Sequence, residues 1–149
     1  MAAVYLAETK VCLPLYDPQR QIERLKLQVA SYPPLLKQKT VSNTLWMAEF
    51  SLLLAVGYAA SGNVYATVGT LTRVASYLTQ ALFALNETYL MSDKTAVQEM
   101  ATFAILPLGY LGRLSSLLGQ TEKTAAELQA SVWELRIPSV LPRLARFLS

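Results

Sequence analysis

NVYATVGTLTRVASYLTQALFALNETYLMSDK, residues Asn63–Lys94, is the longest uninterrupted periodic stretch of the chain. Val64, Val68, Leu71, Ala75, Leu78, Leu82, Leu85 and Tyr89 follow one another at alternating steps of four and three. On a helix that spacing makes one stripe, a core seam, and it predicts a single long helix over the whole stretch. Ala66, Arg73, Gln80 and Glu87 form the row farthest from the seam, and Tyr65, Thr72, Thr79 and Asn86 line one flank. Asn63 after Gly62 is the N-cap, and Ser92-Asp93 supply the polar break at the far end.

Upstream, Pro34 to about Ala60 reads as a second long helix with Val41, Leu45, Ala48, Leu52, Ala55 and Ala59 on its core face. A tight turn at Ser61-Gly62 makes the two helices an antiparallel hairpin, which sets Glu49 level with Arg73. An ion pair between them would satisfy a carboxylate beside the apolar stripe, but only if the upstream helix packs on the Arg73 side. Farther upstream, Asp17 caps and Pro18 opens a helix with Ile22, Leu25 and Val29 as its stripe, ended by Tyr32-Pro33-Pro34. Residues 1–16 read as an extended arm or short strands, because Val4, Leu6, Val11, Leu13 and Leu15 alternate around Glu8-Thr9-Lys10. Downstream come shorter helices: Thr95 to Ala104 with Val97, Met100, Ala101 and Ala104 in contact, Tyr110 to Leu118 ended by Gly119, Thr121 to Leu135 with Ala125, Leu128, Val132 and Leu135, and a last one after Ser139. The expected fold is all-α, an antiparallel up-and-down bundle of about five to six helices over residues 17–149 behind that arm.

Composition narrows the function. The chain has 149 residues, 53% of them hydrophobic and 15% charged, which excludes disorder and points to extra interface surface. Homodimerisation is the simplest outlet. Leu45–Ala60 is too short to span a bilayer, where roughly 20 apolar residues are needed, and it carries Glu49. The 13 basic residues are scattered, leaving no nucleic-acid footprint. A lone Cys12 and a start without a signal peptide lead to the expectation of a cytoplasmic protein. There is no histidine, so Ser-His-Asp and Cys-His nucleophile systems, histidine zinc sites and Arg-x-His nuclease sites are excluded.

The run LFALNETYLMSDK, with Arg73 and the Ser61-Gly62-Asn63 start before it, resembles the helical C-terminal domain of bacterial nucleotidyltransferase-like proteins of the kanamycin nucleotidyltransferase class. The resemblance extends from about Leu15 to Gly119 and rests on Arg73, Phe83, Ala84, Leu85, Asn86, Tyr89 and Lys94; Asn63 stands where the family often has an acidic residue. It implies a bundle that binds substrate and dimerises beside an α/β catalytic domain, in cis or in trans, that holds Mg²⁺ and a nucleoside triphosphate. This chain lacks the Gly-Ser turn and paired carboxylates of such a catalytic domain, since its aspartates are Asp17 and Asp93 alone. It is therefore expected to have no catalytic residue, metal site or cofactor of its own.

By the same resemblance Arg73 and Lys94 would neutralise phosphate, Asn86 or Glu87 would orient an acceptor hydroxyl, and Tyr89 would join the substrate-binding set. Each also has a structural reading: Arg73, Gln80 and Glu87 as a wet helix face, Tyr89 as core, Lys94 as a helix-end cation, and Asn86 as a partly buried amide in need of partners. Tyr58, Tyr65, Tyr77 and Tyr110 fit ligand stacking or, more often at helical spacing, core and interface anchoring. The alternative function is a stand-alone homodimeric interaction module without nucleotide chemistry.

Overall fold

The structure, a computed structural model, describes residues 2–119 and 124–135. These residues form helices and no strands: α1 (Ala2–Val11), α2 (Gln21–Val29), α3 (Pro34–Ala60), α4 (Val64–Leu85), α5 (Asp93–Met100), α6 (Tyr110–Leu118) and α7 (Ala125–Leu135). The fold is all-α. The helix expected after Ser139 and the first residues of the one expected from Thr121 lie outside the described residues.

The centre is the α3–α4 hairpin, the most extensive packing between any two elements. Pro34 starts α3 at a position where its missing N–H has no cost. Val41, Leu45, Ala48, Leu52, Ala55 and Ala59 are all buried, as their spacing requires. At the C-terminus of α3 the Asn63 N–H donates to Tyr58 O and the Gly62 N–H to Ala59 O. That is a Schellman turn, and it needs the positive φ of 68° that Gly62 adopts. Asn63 then caps α4, its Oδ1 accepting from the Ala66 N–H at 3.0 Å.

On α4 the seam residues Leu71, Ala75, Leu78, Leu82 and Leu85 are buried, while Val64 is exposed beside the turn of the hairpin. Val74, Ala81, Phe83 and Ala84 are buried too, because α5, α6 and α7 also pack on α4. The helix stops at Leu85, short of the expected end near Lys94. Tyr89 is buried after all, but in the loop beyond the helix rather than on its stripe.

The expected N-terminal arm or strands are replaced by α1. Nothing before Pro14 breaks a helix, and the apparent alternation of Val4 and Leu6 is too short to impose a strand. Helical winding puts Ala7 into the core with Leu6 packed against it. α1 and α2 pack together, and the Lys26 ammonium of α2 donates to the Cys12 carbonyl at the end of α1, 2.7 Å away. Asp17 does cap α2, from one turn farther out than expected: its carboxylate accepts from the Gln21, Ile22 and Glu23 amides at 2.9, 2.9 and 3.2 Å. Of the stripe assigned to α2, Val29 is buried and Ile22 half-buried, but Leu25 is exposed. In α5 it is Ala96 and Met100 that enter the core, leaving Val97 outside; Ala101 and Ala104 fall beyond the helix and are exposed. Val132 of α7 is buried and Ala125 exposed, and the side chains of Leu128 and Leu135 lie outside the described ones. No helix of the described residues is long and apolar enough to cross a membrane.

Tyr110 at the start of α6 is fully buried. Its hydroxyl lies beside Thr79, yet makes no full hydrogen bond among the described residues. Burial pushes its pKa up to about 12, with Thr79 and the Arg113 cation opposing the rise. The folded chain therefore keeps this proton to higher pH than the unfolded chain, whose tyrosines titrate near 10. The stability involved is complete below pH ~10 and is lost as pH rises toward 12, to a total of about 2 to 3 kcal/mol. Tyr110→Phe is expected to be near neutral at pH 7 and to shallow the alkaline loss of stability, measured by urea unfolding from pH 7 upward. Part of the loss remains in the variant, because burial also raises Tyr32 and Tyr89.

Candidate functional site

The polar residues singled out in the sequence converge where α4 ends. Asn86 is its C-cap. The Asn86 Nδ2 donates to Leu82 O at 2.8 Å and to Ile105 O at 2.9 Å, and its Oδ1 accepts from the Ile105 N–H at 2.9 Å. The amide thus treats Ile105 as a strand would treat its neighbour, fixing the α5–α6 connection to the end of α4. This half-buried amide needed partners and has three.

Glu87 follows with φ 55°, in the left-handed region where a side chain is strained. The Glu87 N–H donates to Ala84 O and the Thr88 N–H to Phe83 O, which is the turn made at Gly62, here built without glycine. The Glu87 carboxylate pairs with Lys37 of α3 at 2.9 Å, with the carboxylate largely exposed. Such a pair contributes ~0 to 1 kcal/mol.

The turn throws Tyr89 away from the α4 axis and under α1 and α2. Its ring meets Tyr32 at 4.7 Å between centroids, its hydroxyl donates to Val29 O at 3.4 Å, and the Lys10 ammonium lies 5.6 Å from its ring centre. Ala7, Lys10, Val11, Glu87, Thr88, Tyr89 and Met91 border a hollow of about 180 Å³ here. That is below the ~300 to 1,000 Å³ of ordinary ligand pockets. Lys94 is exposed on the first turn of α5, where its N–H donates to the Ser92 side chain.

Arg73 belongs to a different place. It lies thirteen residues before Asn86, roughly 20 Å along the helix at 1.5 Å per residue, so the presumed substrate-binding row is not one site. Its guanidinium donates to Thr70 Oγ1 at 3.0 Å. The Glu49–Arg73 pair is not formed: the ion pairs among the described residues are Arg20–Glu23 and Lys37–Glu87. The core face of α3 runs through Ala48 and Leu52, which turns Glu49 out to solvent, and Arg73 stands in the outer row of α4.

A feature the periodicity argument passed over is the groove beside Arg73. Tyr58 of α3 and Tyr65, Ala66, Gly69, Thr70 and Arg73 of α4 border about 630 Å³ of open space. It continues into a row of outward apolar side chains on α3: Trp46, Phe50, Leu53, Leu54 and Tyr58. The Trp46 and Phe50 rings stack in parallel, 5.6 Å apart. The signal was present, since these residues recur at helical steps opposite Val41, Leu45 and Leu52 and give α3 a second apolar face. Among the described residues no group of His, Cys, Asp and Glu is placed to hold a metal ion.

Asn86→Ala, which removes three hydrogen bonds and leaves the Ile105 N–H without its partner, is expected to destabilise the chain by about 2 to 4 kcal/mol. Glu87→Gly is expected to change stability by less than about 1 kcal/mol, since relief of the positive φ offsets the exposed ion pair. Chemical denaturation of both variants checks this, and equal losses would contradict the assignment. Comparison of the chain with protein-family models, with curated proteins and with solved structures found no match.

Proposed function

We propose that the chain is a non-catalytic helical docking domain of a nucleotidyltransferase-like protein, built as an antiparallel up-and-down bundle around the α3–α4 hairpin and packing beside an α/β catalytic unit in cis or in trans. The observation that carries docking is the apolar surface of the α1–α2 layer. Leu13 and Leu15, in the link between the two helices, are 85% and 101% exposed, with Tyr5, Tyr16 and Leu27 also outward. Single exposed apolar side chains are ordinary, but five on two packed helices and the link between them support a surface made to be covered.

The link to nucleotide chemistry rests on the run Leu82–Lys94 and its resemblance to the family named above. In this reading Mg²⁺ and the nucleoside triphosphate belong to the catalytic unit. Asn86 and Tyr89 hold the bundle together, Glu87 sits at a strained turn, and Lys94 is the position left beside them for meeting an anionic substrate, while Arg73 stands apart on the middle of α4. A stand-alone homodimeric module is the second reading, favoured by the apolar face of α3.

The test places a photo-crosslinking amino acid at Leu15 and, separately, at Leu27, and sequences the peptides captured in the source cells. The expected partner peptide comes from an α/β domain with a Gly-Ser turn followed by paired carboxylates, on the same or another polypeptide. Crosslinks only to helical segments of this same chain, or to a protein without that signature, would overturn the docking reading.

A further inference from the structure

We infer that the outer face of the α3–α4 hairpin is the contact surface for a second copy of the chain, the two α3 helices crossing antiparallel about a two-fold axis near Leu53-Leu54. This is independent of what covers α1 and α2. Trp46, Phe50, Leu53, Leu54 and Tyr58 form a continuous row on α3, and Tyr65 extends it onto α4. Trp46 is 61%, Leu53 59% and Tyr65 91% exposed. Together these side chains present roughly 700 Å² of accessible surface, close to the ~800 Å² that each partner gives to a stable interface of standard size. The surface thus matches what a dimer needs.

Three features select a second copy over an unrelated partner. First, the face is self-complementary: it carries projecting rings at Tyr65 and Trp46, and a groove of about 630 Å³ floored by Gly69 and Thr70 that can receive a ring. Second, Gly57 lies inside α3 on this face, and a Cβ added there meets nothing within 4 Å; the same holds for Gly69. A glycine inside a helix costs about 1 kcal/mol relative to alanine, and no packing among the described residues calls for it. A close helix crossing does, because an axis at Leu53-Leu54 is equidistant from Phe50 and Gly57 and sets each Phe50 ring over Gly57 of the second copy. Third, the face carries one charge of each sign, Glu49 as the one charged residue between Leu45 and Ala60 and Arg73 at the border of the groove, so two copies can meet there with little like-charge repulsion.

The experiment is sedimentation velocity of the full chain at roughly 100 μM and below, a range that detects dissociation constants up to about 100 μM. The expected mass is twice the 16.4 kDa of one chain. Phe50→Glu and Leu53→Glu replace exposed side chains, so helicity by circular dichroism should be unchanged while the dimer dissociates. Gly57→Leu is expected to weaken it at least about 10-fold by blocking the crossing. Leu15→Glu and Leu27→Glu should leave the dimer intact, which separates this inference from the α/β docking reading. A wild-type monomer throughout the concentration range would overturn the proposal. So would a dimer that survives Phe50→Glu and Leu53→Glu, or one broken by Leu15→Glu instead.

Discussion

Asn86 closes α4 and, with the same side chain, grips both backbone groups of Ile105. A helix end leaves carbonyls without partners, and a loop such as the α5–α6 connection has an N–H and a C=O to place. One amide satisfies both needs. Because α4 stops there, Glu87 turns through a left-handed conformation and the chain leaves the helix axis. That change of direction delivers Tyr89 to Tyr32, Val29 and Lys10. The α1–α2 layer and the α5–α6 region are thus both tied to the hairpin within four consecutive residues.

The functional consequence is a division of labour. On one long helix, Arg73, Glu87 and Asn86 would look outward together and could serve a shared ligand. With the break at Leu85 they separate: Asn86 and Tyr89 turn inward to structural partners, Glu87 holds Lys37, and Arg73 stays behind on the middle of α4. What the surface offers in quantity is apolar area, on the outer face of α3 and on α1–α2. Such surfaces serve contacts between macromolecules.

The hairpin was legible in the residues themselves. Val41, Leu45, Ala48, Leu52, Ala55 and Ala59 gave one face of α3, Gly62 and Asn63 gave the turn and cap, and Gly119 marked the end of α6. Even the demand of Asn86 for partners was readable from its place beside Leu85. The stop of α4 was not, because the left-handed position is filled by Glu87 and no glycine advertises it. Nor was α1, where a short alternation of apolar residues fits a strand and a helix equally well and tertiary packing of Ala7 decides. The apolar residues on both sides of α3 hid its second face, since a helix apolar nearly all round has no preferred direction to read.

The most direct measurement is amide hydrogen exchange at Ile105 under native conditions. This N–H lies in a connection without regular structure and donates to Asn86 Oδ1. If the Asn86 grip organises the fold, the Ile105 amide exchanges only through large-scale unfolding, with an opening free energy close to that of the amides in the middle of α4. Exchange at the rate of an exposed loop, with α4 still protected, would contradict that role.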